Sequence, residues 1–123
     1  LVRAEAYARQ ASTNLPGAAS SVQAIRTARA SAVVTPAYAN ATEAIQDIIN
    51  ERRLELAFEG HRYLDLKRTR TLFNVGITRD AADVGYLNNN FPSTVTSTDA
   101  RWTFPLPDAE VNGNPDITQA PGY

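Results

Sequence analysis

A mainly α fold is what this sequence predicts: antiparallel helix pairs, long irregular loops and an extended C-terminal segment. Three observations carry the prediction. Alanine and branched apolar residues recur at helical spacing from Leu1 to Phe73. Helix punctuation interrupts them at N-L-P-G and again at V-V-T-P-A-Y-A-N. Beyond Phe73 the composition changes to Gly, Asn, Ser, Thr and Asp.

Each element follows from its residues. Leu1, Ala4, Ala8 and Ala11 share a helical stripe, placing a first helix over about 1–13 and ending it at Pro16 and Gly17. A second helix is expected over about 18–31, with Val22, Ile25, Ala28 and Ala32 on one stripe. The short connection predicts that this pair lies antiparallel, and the alanine faces permit close approach. The longest helical region is expected over about 42–73. Asn40 or Thr42 can cap it, and Glu43 suits the positive end of its dipole. Residues 74–100 read as a loop, including N-N-N at 88–90. Residues 101–123 read as an extended segment, W-T-F-P-L-P, followed by a turn at N-G-N-P.

Composition narrows the function. The 123 residues are 43% hydrophobic and 20% charged, as in an ordinary globular protein with one modest core. Twelve Lys and Arg against thirteen Asp and Glu give a net charge of -1, without the basic field that nucleic acid or an anionic membrane surface requires. There is no cysteine, so disulfides, thiolate catalysis and cysteine metal sites are excluded. A single histidine, His61, leaves no pair for a histidine metal site, and no cofactor motif is present. Asp80, Asp83 and Asp99 match no calcium-loop spacing. No apolar run approaches the roughly 20 residues that a membrane helix needs. The absence of methionine, and a first helix without a capping residue, make the chain read as the C-terminal part of a larger protein.

The densest chemistry lies in E-R-R-L-E-L-A-F-E-G-H-R-Y-L-D-L-K-R, residues 51–68. At about 100° per residue, Ile45, Ile49, Leu56 and Tyr63 form one apolar stripe and Leu54 and Phe58 a second. Between them fall Glu51, Arg52, Glu55, Glu59 and Arg62, provided the helix continues through Gly60. Glutamates four apart repel one another by a few tenths of a kcal/mol per pair. Arg52 and Arg62, each three residues from a glutamate, and Arg26 and Arg29 on the second helix are the cations placed to offset this. Gly60 costs about 1 kcal/mol inside a helix, implying a kink or a close helix contact. Paired carboxylates also serve glycoside hydrolysis, but that chemistry needs them opposed across a cleft, which one helix face does not provide. The glutamates read as a structural ion network.

The same stretch resembles the signature of the SusD/RagB family, E-R-R-x-E-L-A-F-E-G-x-R-[YF]-x-D-L-[KR]-R. Glu51, Arg52, Arg53, Glu55, Leu56, Phe58, Glu59, Gly60, Arg62, Tyr63, Asp65 and Leu66 take its characteristic positions. Three other segments agree in order: L-V-R-A-E-A-Y-A-R, with Glu5; A-I-R-T-A-R-A, with Arg26 and Arg29; and F-P-L-P-D-A-E-V-N-G-N-P-D-I-T-Q-A-P-G-Y. The last resembles P-I-P-x-x-E-I-x-x-N-P-x-L-x-Q-N-P-G-Y, departing at Leu106, Val111, Ile117 and Ala120.

The resemblance implies tetratricopeptide-like helix pairs. It further implies a non-enzymatic, lipid-anchored protein facing outward from the outer membrane. Such a protein holds a glycan or other nutrient and delivers it to a TonB-dependent, SusC-like transporter. Sugar-binding residues belong to no motif of the family, so none carries over. From this sequence alone, Trp102 and Tyr86 are the candidate stacking platforms, with Trp102 alternatively plugging the core beside Phe104. A docking scaffold within the same uptake complex, with no nutrient contact, is the second reading. A helical glycoside hydrolase domain using the glutamates is the third.

Overall fold

The computed structural model describes residues 1–30, 34–80, 82 and 93–123. Among them the chain is mainly helical, with one small antiparallel sheet. It divides into two compact units, Leu1–Asp65 and Leu66–Tyr123.

The first unit holds α1 (Val2–Arg9), α2 (Leu15–Arg29) and α3 (Ala41–Glu55). All three pack on one another. Their buried faces are Ala4 and Ala8 on α1, Ala18, Ala19 and Val22 on α2, and Ala44, Ile45, Ile48 and Ile49 on α3. Small side chains on α1 and α2 leave room for the isoleucines of α3, giving a packed interior from few bulky residues. Two polar groups entering this interior are satisfied: Ser21 Oγ donates to the Gly17 carbonyl at 2.8 Å, and Glu5 accepts from Arg9 Nε at 2.8 Å.

The segment N-L-P-G, read above as a terminator, instead starts α2. The Asn14 side chain accepts a hydrogen bond from Gly17 N at 2.9 Å, and Pro16 sits in the first turn, where its missing N–H costs nothing. A Cβ on Gly17 would lie 2.7 Å from Asn14 Nδ2, so the side chain that caps the helix occupies the space a larger residue would need. Correspondingly, α1 ends at Arg9 rather than near residue 13, and the chain is extended at Gln10. Asn40 caps α3 by accepting from Glu43 N at 2.9 Å, while Glu43 accepts from Ala39 N at 2.8 Å. This is close to a capping box. In the α2 stripe Val22 is buried and Ala28 exposed, whereas Ala32 lies outside the described residues.

The helical region expected over 42–73 is two helices, α3 and α4 (Arg62–Phe73). Between them Phe58 has φ 65° and Gly60 φ 76°. Two left-handed residues within three positions end a right-handed helix. Gly60 therefore makes neither a kink within a helix nor a close helix contact, since a Cβ built on it meets nothing within 4 Å. The stripe of Leu54 and Phe58 is not covered; both side chains are exposed.

α4 begins in the first unit and continues into the second. There, residues 74–100 contain structure that composition did not reveal. β1 (Ile77–Thr78) pairs antiparallel with β2 (Thr94–Val95), Ile77 opposite Val95 and Thr78 opposite Thr94. Gly76 makes this possible: a Cβ there would lie 2.3 Å from the Val95 carbonyl oxygen. A 3-10 turn follows at Ala100–Trp102. The stretch read as extended and turn also contains α5 (Asp108–Gly113), with Asp108 and Glu110 at its N-terminal end. The Gln119 side chain accepts from Leu106 N at 2.8 Å and donates to the Leu106 carbonyl at 2.9 Å, replacing a strand partner for that residue. No helix among the described residues is long and apolar enough to cross a membrane.

Candidate functional site

The charged residues of the first unit form an ordered seam. Arg26, in the last turn of α2, donates from Nη2 to both carboxylate oxygens of Asp47 at 2.8 and 3.0 Å, and from Nε to Glu51 at 2.8 Å. The Tyr38 hydroxyl donates to Asp47 at 2.7 Å. One helical turn on, Arg29 holds Glu55 through both Nε, at 3.0 Å, and Nη2. Two arginines three apart on α2 thus reach three carboxylates four apart on α3, which is the i, i+3 and i, i+4 geometry of facing helices.

Electrostatics follow these contacts. Burial opposes the charge on Arg26, but the hydrogen bonds it donates to Glu51 and Asp47 outweigh it and raise its pKa. The hydrogen bond from Arg29 holds the Glu55 carboxyl below its usual range. Burial, helped by the bond to Asp47, pushes the Tyr38 phenol upward.

The sequence placed the acidic ridge at Glu51, Glu55 and Glu59; the structure moves it one turn back. Asp47, four residues before Glu51, belongs to it, and that spacing was the available signal. Glu59 does not, because α3 ends at Glu55. Glu59 is exposed, and among the described residues its one ion-pair contact is with His61 Nε2 at 4.0 Å. Arg52 and Arg62 are also assigned differently from the expectation. Arg52 Nε donates to Asp65 at 2.8 Å, and that pair is 12% and 5% exposed. The pair connects the last turn of α3 to the first turn of α4 across the intervening bend. Arg62 forms no ion pair with a glutamate among the described residues, and its buried Nη1 has no hydrogen-bond partner. Tyr63 is half-buried in the same first turn of α4.

A cavity of about 340 Å³ opens beside this bend, lined by Arg52, Arg53, Leu56, Phe58, Arg62 and Asp65 among others. Arg53 is exposed and in no ion pair among the described residues. Burial lowers the Arg62 pKa, the neighbouring charge of Arg53 lowers it further, and Asp65 opposes both.

Trp102 is 1% exposed and offers no free face to a sugar ring. Its Nε1 donates to the Thr96 carbonyl at 2.7 Å, and the Arg70 guanidinium lies 5.4 Å from its ring centroid. This corrects its choice as a stacking platform: a large amphipathic ring following a short polar turn has been folded inward. Phe104, its expected companion in the core, is exposed. Tyr86 lies outside the described residues, as does Asp83. Asp99 is occupied by Arg101, whose Nε and Nη2 donate to it at 2.8 and 2.5 Å. Asp80 accepts from Ala82 N at 2.9 Å. No group of three or more metal-ligating side chains occurs among the described residues.

Glu51 and Glu55 are thus held by guanidinium groups on a helix face. No curated protein and no solved structure matches the chain. The SusD family matches it over residues 1–123, and members of that family are non-catalytic proteins of nutrient binding and uptake. With Glu51, Glu55 and Asp65 of its signature each paired to an arginine, the chain belongs to the SusD family.

Proposed function

We propose that this chain takes part in capturing an oligosaccharide at the bacterial cell surface and passing it to a TonB-dependent outer-membrane transporter. It does so as an outward-facing protein held by a lipid anchor. The family match over residues 1–123 carries this reading. The arginine–carboxylate seam supports it, because these side chains are engaged in contacts between helices. The alanine faces of α1 and α2 support a tetratricopeptide-like pairing of these helices.

Isothermal titration of the protein against a panel of oligosaccharides tests the reading. Saturable binding is expected, with each sugar recovered at its original length by chromatography. Shortened products that disappear in Glu55→Gln, or an absence of binding to every saccharide, would overturn it. Affinity purification from outer membranes tests the transporter arm: a β-barrel partner should co-purify, and its absence would remove that arm.

A further inference from the structure

The cavity beside the α3–α4 bend holds two arginines that make no ion pair among the described residues. Three arginines line it, and the single carboxylate, Asp65, is hydrogen-bonded to one of them, Arg52. Arg53 and Arg62 remain. They stand close enough for the charge of one to disfavour that of the other, and one nitrogen of Arg62 is buried with no acceptor. An unsatisfied buried donor is unfavourable by itself, and an unneutralised second guanidinium compounds it. The arrangement is complementary to a planar anion, since a guanidinium binds a carboxylate through two parallel N–H···O bonds.

Phe58 supplies the second half of the argument. Its ring is fully exposed and lines the same cavity, while its backbone has φ 65°. That left-handed conformation is unfavourable for a bulky side chain, and no internal packing of the exposed ring compensates. An exposed aromatic face next to two guanidinium groups presents apolar and anionic recognition within one cavity. Sugar rings offer their C–H faces to aromatic side chains, and acidic sugars carry a carboxylate at the ring edge. About 340 Å³ is at the small end for ligand pockets, suited to one sugar unit rather than several.

We propose that the Arg53–Arg62–Phe58 cavity is a subsite for an acidic sugar: Arg53 and Arg62 take the carboxylate and Phe58 covers the ring face. This rests on the reading of the chain as a saccharide-binding protein and adds the class of sugar. It also assigns a binding role to side chains of the signature that the helix seam does not use.

The test is titration of the protein with a galacturonate trisaccharide, its fully methyl-esterified form and a neutral trisaccharide. The free acid should bind at least tenfold more tightly than its ester. Arg53→Gln and Arg62→Gln should each remove about tenfold of that preference. Phe58→Gly should weaken both forms. Arg53 is exposed, so its variant keeps the test decisive even if Arg62→Gln fails to fold. Equal binding of acid and ester, or acid binding indifferent to Arg53→Gln, overturns the subsite. Binding of the neutral sugar alone overturns the subsite and leaves the general reading standing. Binding of no saccharide overturns both.

Discussion

Replacing Arg52 by methionine tests the mechanical claim that an ion pair joins α3 to α4. Methionine matches the length of the arginine stem but donates no hydrogen bond. An exposed ion pair contributes about 0–1 kcal/mol because water replaces the lost partner. Here Arg52 and Asp65 are 12% and 5% exposed, so water has little access to the abandoned carboxylate. Leaving a buried charge without its partner costs about 3–5 kcal/mol. Asp65 has an additional interaction, which places the expected cost near the lower end, about 3 kcal/mol. That corresponds to roughly a hundredfold change in the folding equilibrium. The assay is urea denaturation followed by circular dichroism, run as a cycle with Asp65→Asn and the double variant. Because Asp65→Asn removes the stranded charge, the double variant should recover about 2 kcal/mol relative to the sum of the singles. A loss below about 1 kcal/mol for Arg52→Met, or simple additivity, would refute the reasoning and make the pair a surface contact.

Three other changes give distinct outcomes. Gly60→Ala should destabilise the protein by about 1 kcal/mol through backbone strain alone, because its φ is 76° and nothing obstructs the added methyl. Gly60→Asn should lose less in the same urea titration. Trp102→Phe should cost about 2 kcal/mol, since it removes the hydrogen bond to the Thr96 carbonyl and leaves a gap in a buried site. Saccharide titration should show unchanged affinity in that variant; a selective loss of binding would restore Trp102 as a platform. Hydrogen bonds from the Arg101 side chain and backbone hold the Asp99 carboxyl down to about 2, from an ordinary 3.8. A lowered carboxyl pKa stabilises the folded state fully above the ordinary value and ceases to do so as pH falls through the folded value. The emission of the single tryptophan, Trp102, should therefore shift to the red between about pH 4 and pH 2, and Asp99→Asn should flatten the change in that interval.

How much was legible depended on the range of the interaction involved. Helical periodicity and capping chemistry are local, so the sequence located the three helical regions, the Asn40 cap and the alanine faces of α1 and α2. The recruitment of Arg26 and Arg29 to Glu51 and Glu55 was legible because both sets repeat at helical spacing, which makes matching between two helices a matter of arithmetic. Asp47 has the same spacing but precedes the densest run of charge. N-L-P-G is ambiguous in sequence because proline ends one helix and begins another with identical local chemistry; the Asn14 carboxamide accepting from Gly17 N distinguishes the two.

The sequence by itself determined that the chain is mainly helical, holds no cysteine and a single histidine, and bears the family signature, since composition and spacing are properties of the chain. Tertiary structure alone decided that α3 stops before Phe58, that Arg52 turns to Asp65 instead of a glutamate, and that Trp102 faces inward. Each choice depends on which groups meet across a bend or in an interior, and on whether water can reach them. A one-dimensional pattern of residue types does not contain that information.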